Sequence, residues 1–140
     1  SSSNDCSHML AEARMAMLLA RTLLSETEGG PPEAKKEWIS ARDCLEMATL
    51  GGAAILGRDD IGSLEPGKRA DFFAVDTNQR SFAGGSMVDP VAALVFCAPQ
   101  NASYTVIDGR VIVKDGQITT LDLPIAIEKL NKASRLVMNV

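Results

Sequence analysis

Hydrophobic spacing divides this chain into a helical first part and a second part rich in turns and alternating segments. Met9, Ala13, Ala16, Met17, Ala20 and Leu24 recur at intervals of three and four, with Glu12 and Arg21 off that stripe. The spacing predicts an amphipathic helix with one face awaiting a partner. The polar run Ser1 to Ser7 precedes it, and Asp5 or Ser7 is placed to cap its first turn. Ser25 to Pro32 carries two glycines and two prolines, which end the helix in a surface loop. Pro32 suits the first turn of a short helix through Trp38, and Ser40 with Asp43 reads as a capping pair for the next. Leu45, Ala48, Ile55 and Leu56 continue the apolar pattern, whereas Gly51-Gly52 predicts a break into two short helices.

From Gly57 the character changes. Gly57-Arg58-Asp59-Asp60 is a turn cluster, and a domain boundary is expected near 58 to 62. In Glu65-Pro66-Gly67-Lys68 proline presets φ and glycine supplies the positive φ that a type II turn requires. Ala70 to Val75 is apolar except for Asp71. If it is a strand, Phe72 and Phe73 point to opposite faces, so a strand covered on both faces is expected. Thr77 to Val88 is a polar excursion, and Asp89-Pro90 caps and starts a short apolar helix, Val91 to Phe96. Asp108-Gly109 and Asp115-Gly116 separate three short runs between Tyr104 and Ile118, predicting two tight hairpins and a three-stranded meander. Asp122 and Pro124 open a final helix with Leu123, Ile127, Leu130 and Val137 on one side, expected to pack on the helical part or close the sheet. Lys129, Lys132 and Arg135 suit its later turns.

Composition narrows the class. At 140 residues, 46% hydrophobic and 23% charged, the chain suits one or two compact units with a real core. A net charge of −4 with scattered Lys and Arg gives nucleic acid no basic stripe to bind. The apolar runs are interrupted well before the roughly 20 residues of a membrane helix, so no membrane partner is expected. Cys6, Cys44 and Cys97 are widely spaced and odd in number, which fits a reducing, cytoplasmic setting. The abrupt Ser-Ser-Ser-Asn opening without Met suggests a piece of a longer protein.

Candidate chemistry is sparse. His8, near Asp5 at helical spacing, reads as a helix-start surface histidine, and one His cannot provide a metal centre that normally uses three or more protein ligands. Asp59-Asp60 reads as solvated turn acids, and Lys68-Arg69 as exposed turn charge, since a phosphate cradle needs a glycine-rich loop feeding a helix. Cys97 reads as a buried small apolar residue.

Gly62-x-Leu64-x-x-Gly67-Lys68-x-Ala70-Asp71, with an apolar run ending in Asp76, resembles the signature where amidohydrolase-superfamily enzymes leave their catalytic barrel and re-enter a small β-sandwich. Ser1-Ser2-Ser3-Asn4-Asp5 before Met9-Leu10-Ala11-Glu12 is similar to the segment after the last barrel strand in the cytosine-deaminase-like and chlorohydrolase-like branch. Met47-Ala48-Thr49-x-Gly51-Gly52-Ala53, Asp89-Pro90-Val91 and Leu121-Asp122-Leu123-Pro124 resemble that branch too, especially 8-oxoguanine deaminases and hydroxyatrazine hydrolases.

The resemblance implies an α/β fold: the last helical layer of a (β/α)8 TIM barrel in 1–60, part of a small β-sandwich in 61–120 and a C-terminal helix in 121–140. It implies a metal-dependent hydrolase of carbon–nitrogen bonds acting on a small heterocyclic amine, a purine-like or triazine-like ring. In such enzymes zinc or iron lowers the pKa of bound water, an Asp takes its proton and hydroxide attacks the carbon bearing the amine. The family's His-x-His pair, further histidines and strand-eight Asp do not occur here, so this chain alone is expected to hold no metal and to be inactive. Ser1, Ser2, Ser3 and Asn4 fall at the C-terminal mouth of the barrel and are the candidate substrate-facing residues, with helix capping as the alternative role. Barrel pieces leave apolar faces and sheet edges open, inviting association into a homo-oligomer. A different reading of the same chain is a self-standing, non-enzymatic β-sandwich interaction module.

Overall fold

Met9–Glu26 forms the first helix, α1, and His8 caps it: the Ala11 N–H donates to His8 Nδ1 at 3.2 Å. The computed structural model describes residues 8–26, 38–97 and 101–138, so the proposed caps Asp5 and Ser7, and all but Trp38 of the proposed Pro32 helix, lie outside it. Trp38 itself is not helical. The described residues fall into two units, one drawn from Ser1–Lys68 and Asp76–Gln100, the other from Arg69–Val75 and Asn101–Val140.

In the first unit α1 buries Leu10, Ala13 and Met17, while Met9 is 62% exposed and Ala16 is exposed as well. The expected stripe is therefore rotated, because the buried face is set by where two later helices press on α1. The first of these, α2 (Ala41–Glu46), opens on a complete capping box: Ser40 Oγ accepts from the Asp43 N–H, and Asp43 accepts from the Ser40 N–H at 2.7 Å. These bonds hold the Asp43 carboxyl below the usual range, the Ser40 hydroxyl first and its N–H second.

The helix does not break at Gly51-Gly52. A π turn, Met47–Gly51, carries α2 into α3 (Gly52–Ile55), with φ −61° at Gly51 and −60° at Gly52. Glycine's helix penalty of roughly 1 kcal/mol per residue is overridden by packing, since Ala53 is buried and Gly62 crosses against this turn. The rod ends in a Schellman motif at Gly57, φ +64°: Arg58 N–H donates to Ala53 O and Gly57 N–H to Ala54 O, both at 3.0 Å.

A 3-10 turn, Arg80–Phe82, and the short α4, Gly85–Val88, lie in the stretch expected to be a polar excursion, yet Phe82 is fully buried. Next, α5 (Pro90–Cys97) starts as expected, with Asp89 Oδ1 accepting from the Val91 and Ala92 N–H groups. Met17, Ala13, Ala41, Cys44 and Val95 form the core, with Ile39, Leu45 and Ala92 against it. Burial, and secondarily the Asp43 carboxylate, push the Cys44 thiol above its ordinary pKa. Cys97, expected to be buried, is half-buried and donates its thiol to Ser81 O at 3.0 Å.

The Arg42 guanidinium grips Asp89 at both oxygens, at 2.6 and 3.1 Å, tying α2 to the start of α5. This hydrogen bond, then the Ala92 N–H, pulls the Asp89 pKa from 3.8 to about 2. A depressed carboxyl stabilises above its unfolded pKa, so the contribution is whole above about pH 4 and fades as pH falls through about 2. Acid unfolding of wild type and Asp89→Asn should therefore differ at neutral pH and converge across that window. A gap that stays constant down to pH 2 contradicts the assignment.

The second unit is a four-stranded antiparallel sheet in the order β1-β2-β3-β4: Phe72–Ala74, Tyr104–Ile107, Arg110–Lys114 and Gln117–Ile118. The expected meander is present, and both Asp-Gly turns have positive φ at both residues, 50° and 75° in the first, 51° and 75° in the second. That is the type I′ geometry matched to strand twist. Where Thr105 and Val106 pair with Val113 and Val111, Ile112 is the extra residue of a bulge, and Thr119 braces it, its N–H donating to Ile112 O at 2.8 Å and its hydroxyl to Val111 O at 2.9 Å. Strand β1 is not the buried strand expected from Ala70 to Val75. It is a three-residue edge strand with Phe72 40% and Phe73 46% exposed, because no second layer covers the sheet among the described residues of this unit.

The final helix, α6 (Leu123–Met138), is capped as expected: Asp122 Oδ1 accepts from the Ile125 N–H at 3.1 Å. Within its own unit the stripe is uncovered by described residues: every described α6 side chain except half-buried Ala126 is exposed, Leu130 at 67% and Val137 at 82%. The stripe is in the sequence, but its partner is not among the described residues of the unit.

Candidate functional site

The signature turn begins where Gly62, φ +91°, lies against the π turn. Its sharpest reversal is Glu65-Pro66-Gly67-Lys68, with Gly67 at φ +92° and the Lys68 N–H donating to Glu65 O at 3.1 Å. This is the expected type II turn. The Ser63 hydroxyl donates to Glu65 at 2.6 Å and Lys68 Nζ donates to Ser63 Oγ at 2.7 Å. The hydroxyl, with Lys68 second, holds the Glu65 carboxyl below its usual range. Lys68, expected to be an exposed charge, is half-buried within this network. Its ammonium braces the turn.

In the second unit, the rest of the signature is tied to the first Asp-Gly hairpin. Asp71 accepts the Asp108 N–H at 2.6 Å, Gly109 N–H donates to Ala70 O at 3.2 Å, and Arg69 pairs with Asp108 at 2.6 Å. By sequence Asp71 closes the signature and interrupts an apolar run. Nothing in local spacing points to a partner 37 positions away. The arrangement is architectural: a carboxylate satisfies a backbone donor beside a left-handed residue, a charge-assisted bond of the stronger kind.

Elsewhere the side chains are committed to local structure. Arg58 holds Asp60 through two bonds of 2.7 and 2.8 Å, so Asp59-Asp60 is not a paired acid site. Arg21 donates twice to Ile39 O and stacks over Phe96, 5.7 Å from the ring centre. Tyr104 donates to Asp115 at 2.8 Å, which raises the phenol pKa. Among the described residues no group of three or more His, Cys, Asp and Glu is placed to hold a metal ion. The sole histidine of the sequence, His8, uses Nδ1 as a helix cap, so the donor set present does not fit a zinc or iron centre. An open groove of about 520 Å³ runs along α6 beside Pro124, Ile127, Glu128, Asn131, Lys132 and Arg135. Those residues all lie on one surface of α6, and Glu128 is the single carboxylate among them. Ser1, Ser2, Ser3 and Asn4, the sequence candidates for substrate contact, lie outside the described residues. No described helix is long and apolar enough to cross a membrane.

Comparison with known proteins supplies what local geometry does not. Residues 1–112 match the model of the amidohydrolase family. The chain is 38% identical over 134 residues to an 8-oxoguanine deaminase of Pseudomonas aeruginosa, covering 96% of this chain and 27% of that protein. It is 38% identical to hydroxydechloroatrazine ethylaminohydrolase of Pseudomonas sp. strain ADP, covering 86% of this chain and 24% of that one. Among solved structures, zinc-complexed atrazine chlorohydrolase TrzN from Arthrobacter aurescens aligns with TM-score 0.75 and 31% identity, over 88% of this chain and 25% of that one. A zinc-bound adenosine deaminase from Xanthomonas campestris shares the fold, with TM-score 0.78 at 24% identity over 94% of this chain and 28% of that one. The chain thus spans about a quarter of the length of the relatives it matches.

Proposed function

Because the chain belongs to the amidohydrolase family, we propose that it is the C-terminal part of a metal-dependent hydrolase that deaminates a purine-like or triazine-like ring. The observation that carries this reading is the match of residues 1–112 to the family model, joined to relatives named for displacing an amine. Those two are each 38% identical, against 31% for the chlorohydrolase, which favours amine over chloride as the leaving group. In this reading residues 1–60 belong to the last helical layer of a TIM barrel, 61–120 to part of a small β-sandwich, and 121–140 form the closing helix. Ser1, Ser2, Ser3 and Asn4 stand near the substrate mouth.

The metal, zinc by analogy with the zinc-bound neighbours, is held by residues other than those described here, because no donor set among them fits it. This chain contributes the braced turn and the sheet that steady the body around that centre. The free thiols of Cys44 and Cys97 suit a reducing, cytoplasmic compartment.

The isolated 140-residue chain should bind no stoichiometric zinc or iron and release no ammonia from 8-oxoguanine, guanine or cytosine. Metal analysis and an ammonia assay decide this, and turnover with one bound metal per chain overturns it. The polypeptide encoded with any upstream sequence should release ammonia from such rings. Chloride release from a chlorotriazine without any deamination points instead to the chlorohydrolase chemistry.

A further inference from the structure

Two aspartates of this chain precede glycine, in Asp108-Gly109 and Asp115-Gly116. In such a pair the glycine amide nitrogen can attack the aspartate side-chain carbonyl carbon, because the glycine has no Cβ to hinder the approach. A new C–N bond forms, and the hydroxyl of the protonated carboxyl leaves as water with the amide proton, closing a five-membered succinimide. Water then adds to either ring carbonyl, which returns aspartate or leaves isoaspartate, whose main chain runs through Cβ. No oxidant or reductant takes part. Closure requires the aspartate ψ to swing away from its value in a type I′ turn and the glycine N–H to release its acceptor, so the fold decides which pair reacts.

Both turns are exposed and have the same positive φ values to within a degree. Their restraints differ. At the first, which joins the central strands β2 and β3, the Asp108 N–H donates to Asp71 at 2.6 Å, the Asp108 carboxylate pairs with Arg69 at 2.6 Å, and the Gly109 N–H donates to Ala70 O at 3.2 Å. Charge-assisted bonds on both the amide and the carboxylate of Asp108 anchor it to the segment that leads into β1. At the second, Asp115 Oδ1 accepts from the Tyr104 hydroxyl at 2.8 Å and the Gly116 N–H donates to Ser103 O at 3.0 Å. A neutral phenol stands where the first turn has a guanidinium. The strand that follows, β4, is only Gln117–Ile118 and lies at the sheet edge, where local opening costs least. We propose that Asp115-Gly116 is the site of spontaneous isoaspartate formation in the folded chain, and that Arg69, Ala70 and Asp71 shield Asp108-Gly109 from the same reaction. The extra main-chain atom of isoaspartate breaks the two-residue loop that sets the β3–β4 register, so β4 leaves β3. The displaced α-carboxylate is then exposed as a substrate for a carboxyl methyltransferase that uses S-adenosylmethionine.

The test ages the full 140-residue chain at neutral pH and physiological temperature. Isoaspartate is located by peptide mass spectrometry and totalled by methyl transfer from labelled S-adenosylmethionine with an isoaspartyl methyltransferase. In the folded chain Asp115 should convert at least threefold faster than Asp108. In guanidinium chloride both rates should rise and come together, because only the fold distinguishes the two pairs. Tyr104→Phe should speed conversion at Asp115 at least twofold and leave Asp108 unchanged. Arg69→Gln should raise Asp108 to the wild-type Asp115 rate, and an unchanged Asp115 rate in that variant shows the sheet intact. Asp115→Glu, which cannot close a five-membered ring, should remove the Asp115 signal. Should either tether variant loosen the whole sheet, the wild-type rates with and without denaturant decide alone. Equal folded rates, a faster Asp108, the same ratio of rates in denaturant, or a folded chain that forms no isoaspartate while the denatured chain does overturns the proposal.

Discussion

Replacing Gly62 by alanine should cost the first unit about 3 kcal/mol, combining a disallowed backbone with an overpacked contact. At φ +91° an added Cβ meets Ala53 Cβ at 3.0 Å, Leu50 Cα at 3.2 Å and Thr49 O at 3.2 Å. Two of the three are backbone atoms of the π turn, which cannot swing aside as a side chain can. Gly57 is the internal control, because its φ of +64° is also left-handed but an added Cβ meets nothing within 4 Å. Gly57→Ala should cost about 1 kcal/mol, and Gly57→Asn less, since asparagine tolerates that conformation. Gly62→Asn should remain costly, because its Cβ meets the same backbone. Urea unfolding followed by Trp38, the only tryptophan, reports the first unit directly. Equal losses at the two glycines would show that the contact with the π turn carries no energy.

That contact also explains why two separate sequence patterns belong together. Met47-Ala48-Thr49-x-Gly51-Gly52-Ala53 and the Gly62 signature read as independent motifs along the chain, yet Gly62 packs on Thr49, Leu50 and Ala53. What the sequence made legible was local. Ser40, Asp89 and Asp122 cap helices because each side chain needs only to reach an N–H two or three residues on. The two Asp-Gly hairpins formed as expected because positive φ at both residues selects the turn without outside help. What it hid was whatever depends on a partner layer. Ala16 fits the α1 stripe by spacing but is exposed because α2 and α5 press a different side. Phe72, Phe73 and Leu130 look like core and are exposed because nothing described in their unit lies over them. The candidate site was legible only as a family signature. Asp71 is recognisable within it, but its bond to the Asp108 N–H requires the sheet to have formed.

Phe82→Ala should cost about 4 kcal/mol, the range for emptying an aromatic site in a packed interior. Phe82 has no exposed surface and sits in the 3-10 turn that packs against α5, its N–H donating to Gln79 O and its carbonyl accepting from Ser86 Oγ. Truncation leaves the turn's hydrogen bonds available but removes the side chain that anchors it, so the loss should appear as a lower urea midpoint in Trp38 fluorescence. Phe82→Leu refills part of the volume and should recover more than half of the stability. Phe72→Ala and Phe73→Ala provide the opposing arm. With those rings 40% and 46% exposed, each should cost about 1 kcal/mol, because little apolar area leaves water on folding. The ordering matters more than any single value. If Phe72→Ala or Phe73→Ala proves as damaging in the isolated chain as Phe82→Ala, the sheet is covered in solution, and the exposed faces of β1 must be reassigned to a buried layer.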